Sequence, residues 1–404
     1  MKPLPKAEKL ANVRYEVRGP VLDEAEKIAA AGHKILQLNT GNPAAFGFSA
    51  PQEILDIFAK ESAKAQAYCP SKGVLEARRA VAAQMAKKGI NGVTEDDVYI
   101  GNGASEMITI CMQALLNPGD EMLIPAPDYP LWTAATNLAG GTAVHYMCDE
   151  QTNWSPDIAD LRSKITPRSK AILVINPNNP TGALYSKEVL LEIAQIAREN
   201  GLAIFADEIY DHLVMDGKEH TSIASLAPDV FCVTVNGLSK SHVICGYRVG
   251  WMAFSGDKTD AEGFIAGVNM LTSMRLCANV PAQKIIPAAL NNFSETDAMI
   301  QPGGRVYEQR RTIVEAINSI PGLKTTMPDA AFYIFPRIDI KRFNISDDKQ
   351  FVIDFLKAKH VLLVNGRGFN WPEPDHFRIV YLPPAHELAT LSDKLGSFMA
   401  DYRQ

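Results

Sequence analysis

Short apolar runs rich in β-branched residues recur along the chain, with helical patterns between them. The clearest are 98–100, 121–125, 171–175, 203–206, 231–235 and 249–254. Within each run the apolar residues are nearly continuous rather than alternating, which is the pattern of strands buried on both faces. Strands of that kind, separated by helices such as Lys187–Asn200, predict a parallel sheet covered on both sides. That helix is predicted to open on Ser186 as its N-cap and to stop at Asn200-Gly201.

Past residue 300 the texture changes. Pro302-Gly-Gly precedes a helical pattern over 305–319, and shorter strand candidates follow at 331–335, 361–364 and 377–382. These read as a smaller α+β unit. The first 45 residues hold a helix candidate at 22–31 and an extended 35–38, too little to stand alone. They are expected to pack on the C-terminal part or to reach across to another subunit. The expected division is an N-terminal arm with part of the small domain at 1–47, a large domain at 48–300 and a small domain at 301–404. No repeat or low-complexity tract interrupts it.

Composition narrows the function classes. The chain has 404 residues, too many for one ordinary core, with hydrophobic residues at 47% and charged ones at 21%. Lys+Arg 40 against Asp+Glu 46 leaves a net charge of −6, and no segment gathers basic residues as a nucleic-acid binder would. The opening MKPLPKAEKL has no apolar signal region, and no window approaches the roughly 18 apolar residues of a membrane span. Six scattered cysteines (69, 111, 148, 232, 245, 277) show neither CxxC nor disulfide-style spacing. Three Asn-x-Ser matches, at Asn153, Asn292 and Asn344, carry no weight without secretion. The cytoplasm is the expected location.

In open parallel sheets ligands bind outside the carboxyl ends of the strands, so the residues just after each run are the informative ones. After 171–175 comes NPNNPTG (176–182), after 203–206 comes DEIYD (207–211), and after 231–235 comes NGLSK (236–240). Ahead of them IGNGASE (100–106) leaves a strand and enters a helical pattern over 106–116. Each has an ordinary structural account when taken singly. NPNNPTG is made of residues that suit turns, Asp207 would serve as a helix cap, and Lys240 would be a solvated surface lysine. GNGASE is neither a GxGxxG nor a Walker loop, although amides at a helix N-terminus hold phosphate well. It is their joint occurrence, each at a strand end, that calls for one chemistry.

A phosphate cradle, a buried acid, an Asn, a Tyr and a Lys together match the needs of pyridoxal phosphate. A lysine amine forms a Schiff base with its aldehyde, and the protein supplies orientation and electrostatics. A carboxylate keeps the pyridine nitrogen protonated, donors steady the phenolate oxygen, and an arginine with a helix N-terminus takes the phosphate.

The lysine segment Ser239-Lys240, then Gly246-Tyr-Arg248-Val-Gly250-Trp251, resembles the class I aminotransferases of fold type I, and the likeness runs nearly end to end. The resemblance implies an α/β fold: a large domain with a central, mostly parallel seven-stranded sheet, plus a smaller α+β domain. Lys240 would form the Schiff base and move the proton at the substrate Cα. Asp207 would pair with the pyridinium nitrogen, and Asn179 and Tyr210 would contact the phenolate oxygen. Arg248, Ser239 and the Gly103-Ala104-Ser105 turn would hold the phosphate, with Gly246 and Gly250 letting the backbone pass close by. Tyr129 would stack on the ring. Tyr68 would reach a phosphate in the neighbouring subunit, which implies a homodimer with shared active sites. Arg378 would grip the substrate α-carboxylate and Gly41 would line the pocket. Glu208 with His212, or His376 with His386, could pair at a metal, but no metal is expected.

The stretches RGPV (18–21), LNTGNPAAFGF (38–48), SMRLCANVPAQ (273–283) and FNWPEPDHFRIVYLP (369–383) are similar to bacterial glutamate–pyruvate (alanine) aminotransferases. Aspartate aminotransferases read a second carboxylate with an arginine where this chain has Met274, beside Arg275. The implied reaction therefore moves an amino group between alanine/pyruvate and 2-oxoglutarate/glutamate by a ping-pong mechanism. The N-terminal segment with Tyr15 and Arg18 is expected to close over substrate and read glutamate, or else to be a structural arm. Alternatives on the same residues are an aminotransferase for another neutral amino acid, branched or aromatic, and a β-elimination C–S lyase.

Overall fold

Residues 3–11, 13 and 19–404 are described by a computed structural model. In chain order its strands are β1 (Leu36–Gln37), β2 (Val98–Asn102), β3 (Glu121–Ala126), β4 (Thr142–Asp149), β5 (Ser155–Pro156), β6 (Ser169–Ile175), β7 (Ala203–Asp207), β8 (Cys232–Gly237), β9 (Val249–Ser255), β10 (Leu323–Lys324), β11 (Tyr333–Ile334), β12 (Arg337–Ile338), β13 (Val361–Leu362), β14 (Val364–Asn365) and β15 (Phe377–Val380). Eight of them form one sheet in the order β2-β9-β8-β7-β6-β3-β4-β5. The core of this sheet is parallel through β8, β7, β6, β3 and β4. The mostly parallel sheet is thus as expected, with one strand more than seven, because β5 adds a two-residue hairpin edge to β4.

The central strands are buried residue after residue, as their unbroken apolar runs require. β4 differs: TAVHYMCD is exposed at both ends and half-buried through much of its length, so no continuous run marks it. The helix Lys187–Asn200 forms where predicted. Ser186 Oγ accepts a hydrogen bond from the Val189 amide, and Gly201 closes the helix in the left-handed region at φ 61°. Its buried Leu190, Ile193, Ala194 and Ala197 repeat at helical spacing and face the sheet core.

β9 runs antiparallel to both neighbours, β2 and β8. Its beginning, rather than its end, therefore lies at the edge where β7 and β8 finish. The long helix Arg305–Asn318, the helix Asp348–Lys359 and the closing helix Ala385–Asp401 pack around β11, β14 and β15 in a second core. Val21, Ala25 and Leu38 join that core, and β1 pairs in parallel with β13. The N-terminal helix, at Pro20–Ala30, is accordingly part of the C-terminal packing.

Candidate active site

Beyond the carboxyl ends of the sheet lies a cavity of about 770 Å³. Gly41, Ala104, Ser105, Tyr129, Asn179, Asp207, Tyr210, Ser239, Lys240, Arg248 and Arg378 all line it. Seven segments far apart in sequence thus deliver the predicted residues to one chamber.

One end is built for an anion. The helix Ala104–Leu115 begins there with Gly103 at its N-cap, at φ 80°, and no side chain caps it. Its first amides are therefore free for an acceptor. Arg248 sits alongside, Nη1 donating to the Cys245 carbonyl at 3.0 Å and Nη2 to that of Asn102 at 3.3 Å. A Cβ on Gly250 would fall 2.2 Å from the Ala104 amide nitrogen, so β9 can lie this close only as glycine. Gly246 has no such duty, since a Cβ there would meet no atom within 4 Å beyond its chain neighbours. Close approach rests on Gly250, not on both glycines.

Across the cavity Asp207 ends β7, buried. Its Oδ2 accepts the Trp132 indole N–H at 2.8 Å and its Oδ1 the Ile209 amide at 3.3 Å. Burial raises its carboxyl to about 6, against the pull of those two donors. Lys240 follows β8, half-buried, its Nζ donating to the Gly41 carbonyl at 2.6 Å, with Cys245 Sγ at 3.9 Å.

Arg378, on β15, is buried. Nη1 donates to Asn179 Oδ1 at 2.8 Å, Nη2 donates to the Asn39 carbonyl, and the guanidinium lies 4.5 Å from the ring centres of both Tyr333 and Phe369. Tyr210 shares a 2.6 Å hydrogen bond between hydroxyls with Tyr333, and burial pushes its phenol well above the ordinary range.

Of the other predicted residues, one falls elsewhere and two are not described. Tyr68 is 80% exposed and does not line the cavity of its own chain. Tyr15 and Arg18 lie outside the described residues. Arg275 does not turn to the cavity either, because Nη2 donates to the carbonyls of Ser71 and Ile100 at 3.1 and 2.8 Å, while Met274 beside it is 75% exposed.

Sequence reasoning missed Trp132, Tyr333 and Cys245. Trp132 is the second residue of the helix Leu131–Leu138, and its indole N–H is the one feature of its type that asks for a partner when buried. Tyr333 sits in an apolar run, and nothing in its type separates it from core. The carboxylates of Glu208 and Asp211 do converge near His220, as a metal site would. The Lys88 ammonium stands between them, at 2.6 and 2.5 Å, and fills the cation's place.

The sequence matches the model of class I and II aminotransferases over residues 33–395. The chain belongs to that family. Among curated aminotransferases it is 55% identical over 404 residues, all of both chains, to the glutamate-pyruvate aminotransferase AlaA of Escherichia coli K12. To the alanine aminotransferase of Mycobacterium tuberculosis H37Rv it is 51% identical over 397 residues, covering 98% of this chain and 92% of the other. Among solved aminotransferases, the alanine aminotransferase of Pyrococcus furiosus superposes with a TM-score of 0.93 at 38% identity, over 98% of this chain and 100% of that one. The cofactor of the class I aminotransferases is pyridoxal phosphate, and the cavity fits it. An uncapped helix end with an arginine suits the phosphate, a buried carboxylate suits a pyridinium, and an amine lies in the same chamber. Among the described residues no helix is long and apolar enough to cross a membrane.

Proposed function

We propose that this aminotransferase moves an amino group between L-alanine/pyruvate and 2-oxoglutarate/L-glutamate, the oxo acid leaving before the acceptor binds. The observation that carries the reading is the seating of Arg378, buried and fixed by Asn179, in the same chamber as Lys240. The relatives named for glutamate, pyruvate and alanine at 51–55% identity support the substrate pair.

Bound pyridoxal phosphate supplies an aldehyde and an electron-accepting ring. Arg248, Ser239 and the 103–105 turn hold its phosphate, Asp207 its ring nitrogen, Asn179 and Tyr210 its phenolate oxygen, and Tyr129 its face. Arg378 orients the substrate by two parallel hydrogen bonds to the α-carboxylate. Gly41 lines the substrate side with backbone. Lys240 Nζ anchors the cofactor and then takes the proton from the substrate Cα. Tyr15 and Arg18 close over the side chain, Arg18 reading glutamate.

The exposed Tyr68 reaches the phosphate of a second subunit, so the working form is a homodimer with shared sites. The domains divide at 1–47, 48–300 and 301–404, supported by the separate core in which Val21, Ala25 and Leu38 pack with the C-terminal strands and helices. The six cysteines are all free, which supports a cytoplasmic location.

The test mixes cofactor-loaded protein with single amino acids and follows the visible absorbance of the cofactor. Alanine and glutamate should each change it rapidly, and 2-oxoglutarate should be required for turnover with glutamate as product. Release of pyruvate and a free thiol from a cysteine conjugate, without 2-oxoglutarate, would overturn the reading in favour of a lyase. Replacing Arg18 by Ala should weaken glutamate use far more than alanine use, and equal losses would remove it from substrate reading.

A further inference from the structure

Tyr333 stands where the cofactor side and the substrate side of the cavity meet. It comes from β11, opposite Val380 of β15, so Arg378, two residues back along β15, shares its face and lies diagonally beside it. Hence the guanidinium rests over the Tyr333 ring at 4.5 Å. The hydroxyl at the far end of that ring meets the Tyr210 hydroxyl at 2.6 Å, from the loop after β7. The backbone is shaped around this hydroxyl. A Cβ on Gly41 would sit 2.1 Å from Tyr333 Oη, so residue 41 is a glycine because the phenol needs its space.

A phenol has one hydrogen to give and two lone pairs to accept with. On the reading above, Tyr210 spends its hydrogen on the phenolate oxygen of the cofactor. In the pair with Tyr333 it must then accept, and Tyr333 must donate. The positive charge over the Tyr333 ring favours that direction, since it steadies the charge that builds on Oη as it donates. A hydroxyl that accepts one hydrogen bond becomes a stronger donor in the next.

We propose that Tyr333 is a positioning residue that donates to Tyr210, strengthens its hydrogen bond to the phenolate oxygen, and seats Arg378 with its ring. The inference rests on the assignment of Tyr210 above and adds a residue one bond further from the cofactor. Donors to that oxygen favour the state in which it carries most charge, which is the state after the cofactor–lysine linkage has lost its proton. Weakening them therefore raises the pH at which that proton leaves.

The experiment is a spectrophotometric pH titration of the holoenzyme and of Tyr333→Phe, Tyr210→Phe and the double variant. Tyr333→Phe keeps the ring over Arg378 and should raise the midpoint of the visible band by roughly 0.1–0.7 pH unit, that being 10–30% of one charged hydrogen bond. Tyr210→Phe should raise it further, and adding Tyr333→Phe to it should then change nothing. A midpoint unmoved or lowered in Tyr333→Phe would overturn the proposal, as would the same rise with Tyr210 already removed. If the unaltered protein shows no band that depends on Lys240, the reading of the whole site fails instead.

Discussion

Arg378 and Asn179 are joined by a 2.8 Å hydrogen bond, which ties β15 to the loop after β6 across 199 residues of sequence. The same guanidinium lies 4.5 Å from the centres of two aromatic rings while donating through both its Nη atoms, a combination that lysine cannot reproduce. Arg378→Lys should raise KM for both amino acids and both oxo acids by about 10- to 100-fold, the worth of one charge-assisted hydrogen bond. Steady-state kinetics with alanine and with glutamate decide it. A change confined to one of them would mean that Arg378 reads side chains.

Lys88 is the shared cation of two buried carboxylates, Glu208 and Asp211. Burial would raise Asp211, but the ammonium outweighs it and holds that carboxyl at about 2. Folded below its ordinary 3.8, the group contributes stability above pH about 4 and loses it as pH falls toward 2. Lys88→Met should destabilise the protein by about 3–5 kcal/mol at neutral pH, because two charges are left buried without a partner. Urea unfolding should show the deficit narrowing toward pH 4, as the orphaned carboxylates take up protons. A deficit that widens on acidification would contradict this account.

Asp128 shows the opposite sign. It is wholly buried, accepting from Thr133 at 2.6 Å and Asn370 at 2.7 Å, and burial lifts its carboxyl to about 7 from 3.8. The folded chain keeps a proton that the unfolded chain has lost, so stability falls as pH rises from about 4 to 7. Asp128→Asn keeps an acceptor for Asn370 and removes the titration. Its stability relative to the parent should improve by roughly 2 kcal/mol between pH 5 and pH 8, measured by denaturant melts. Parallel curves across that range would refute the assignment.

Trp132→Phe removes the indole donor from Asp207 and keeps most of the bulk. With only the Ile209 amide left, the carboxyl rises above about 6, and less of it is ionised at neutral pH. Retention of pyridoxal phosphate on dialysis should weaken, and more so at pH 6 than at pH 8. Equal loss at both would point to packing alone.

Gly250→Ala should loosen cofactor retention at least about tenfold, because the methyl group would be driven into the Gly103–Ala104 backbone and about 1.4 kcal/mol suffices for that factor. Far-UV dichroism should remain that of the parent. Tight retention in the variant would show that this turn does not hold the phosphate.

The sheet was legible because its strands are buried on both faces, so apolar residues run together and the polar ones collect at their ends. The Asn-rich loop that holds Asn179, the acid Asp207 and the Ser239-Lys240 pair stand out on that logic, while the choice of Asn179 and the role of each come from the family resemblance. β4 was not legible, because β5 covers only its last two residues, so Thr142 is exposed, His145 is half-buried and the apolar run is broken. Trp132 and Tyr333 escaped for another reason. Each is an aromatic residue in apolar company, and only the third dimension shows that its one polar atom points at Asp207 or at Tyr210. The strand predicted over 361–364 divides in two at Leu363, β13 pairing with β1 and β14 with β15, a branching no local pattern encodes.

Because β9 returns beside β8, Lys240, proposed as the ligand's anchor, and Arg248, proposed for its phosphate end, hang from one hairpin. The segment 238–248 is therefore a ruler, its two marks fixed by paired strands that start and finish it. Anchor and grip share that one piece of chain, so a single residue inserted between Lys240 and Arg248 would put the marks out of scale while leaving every residue of the site in place.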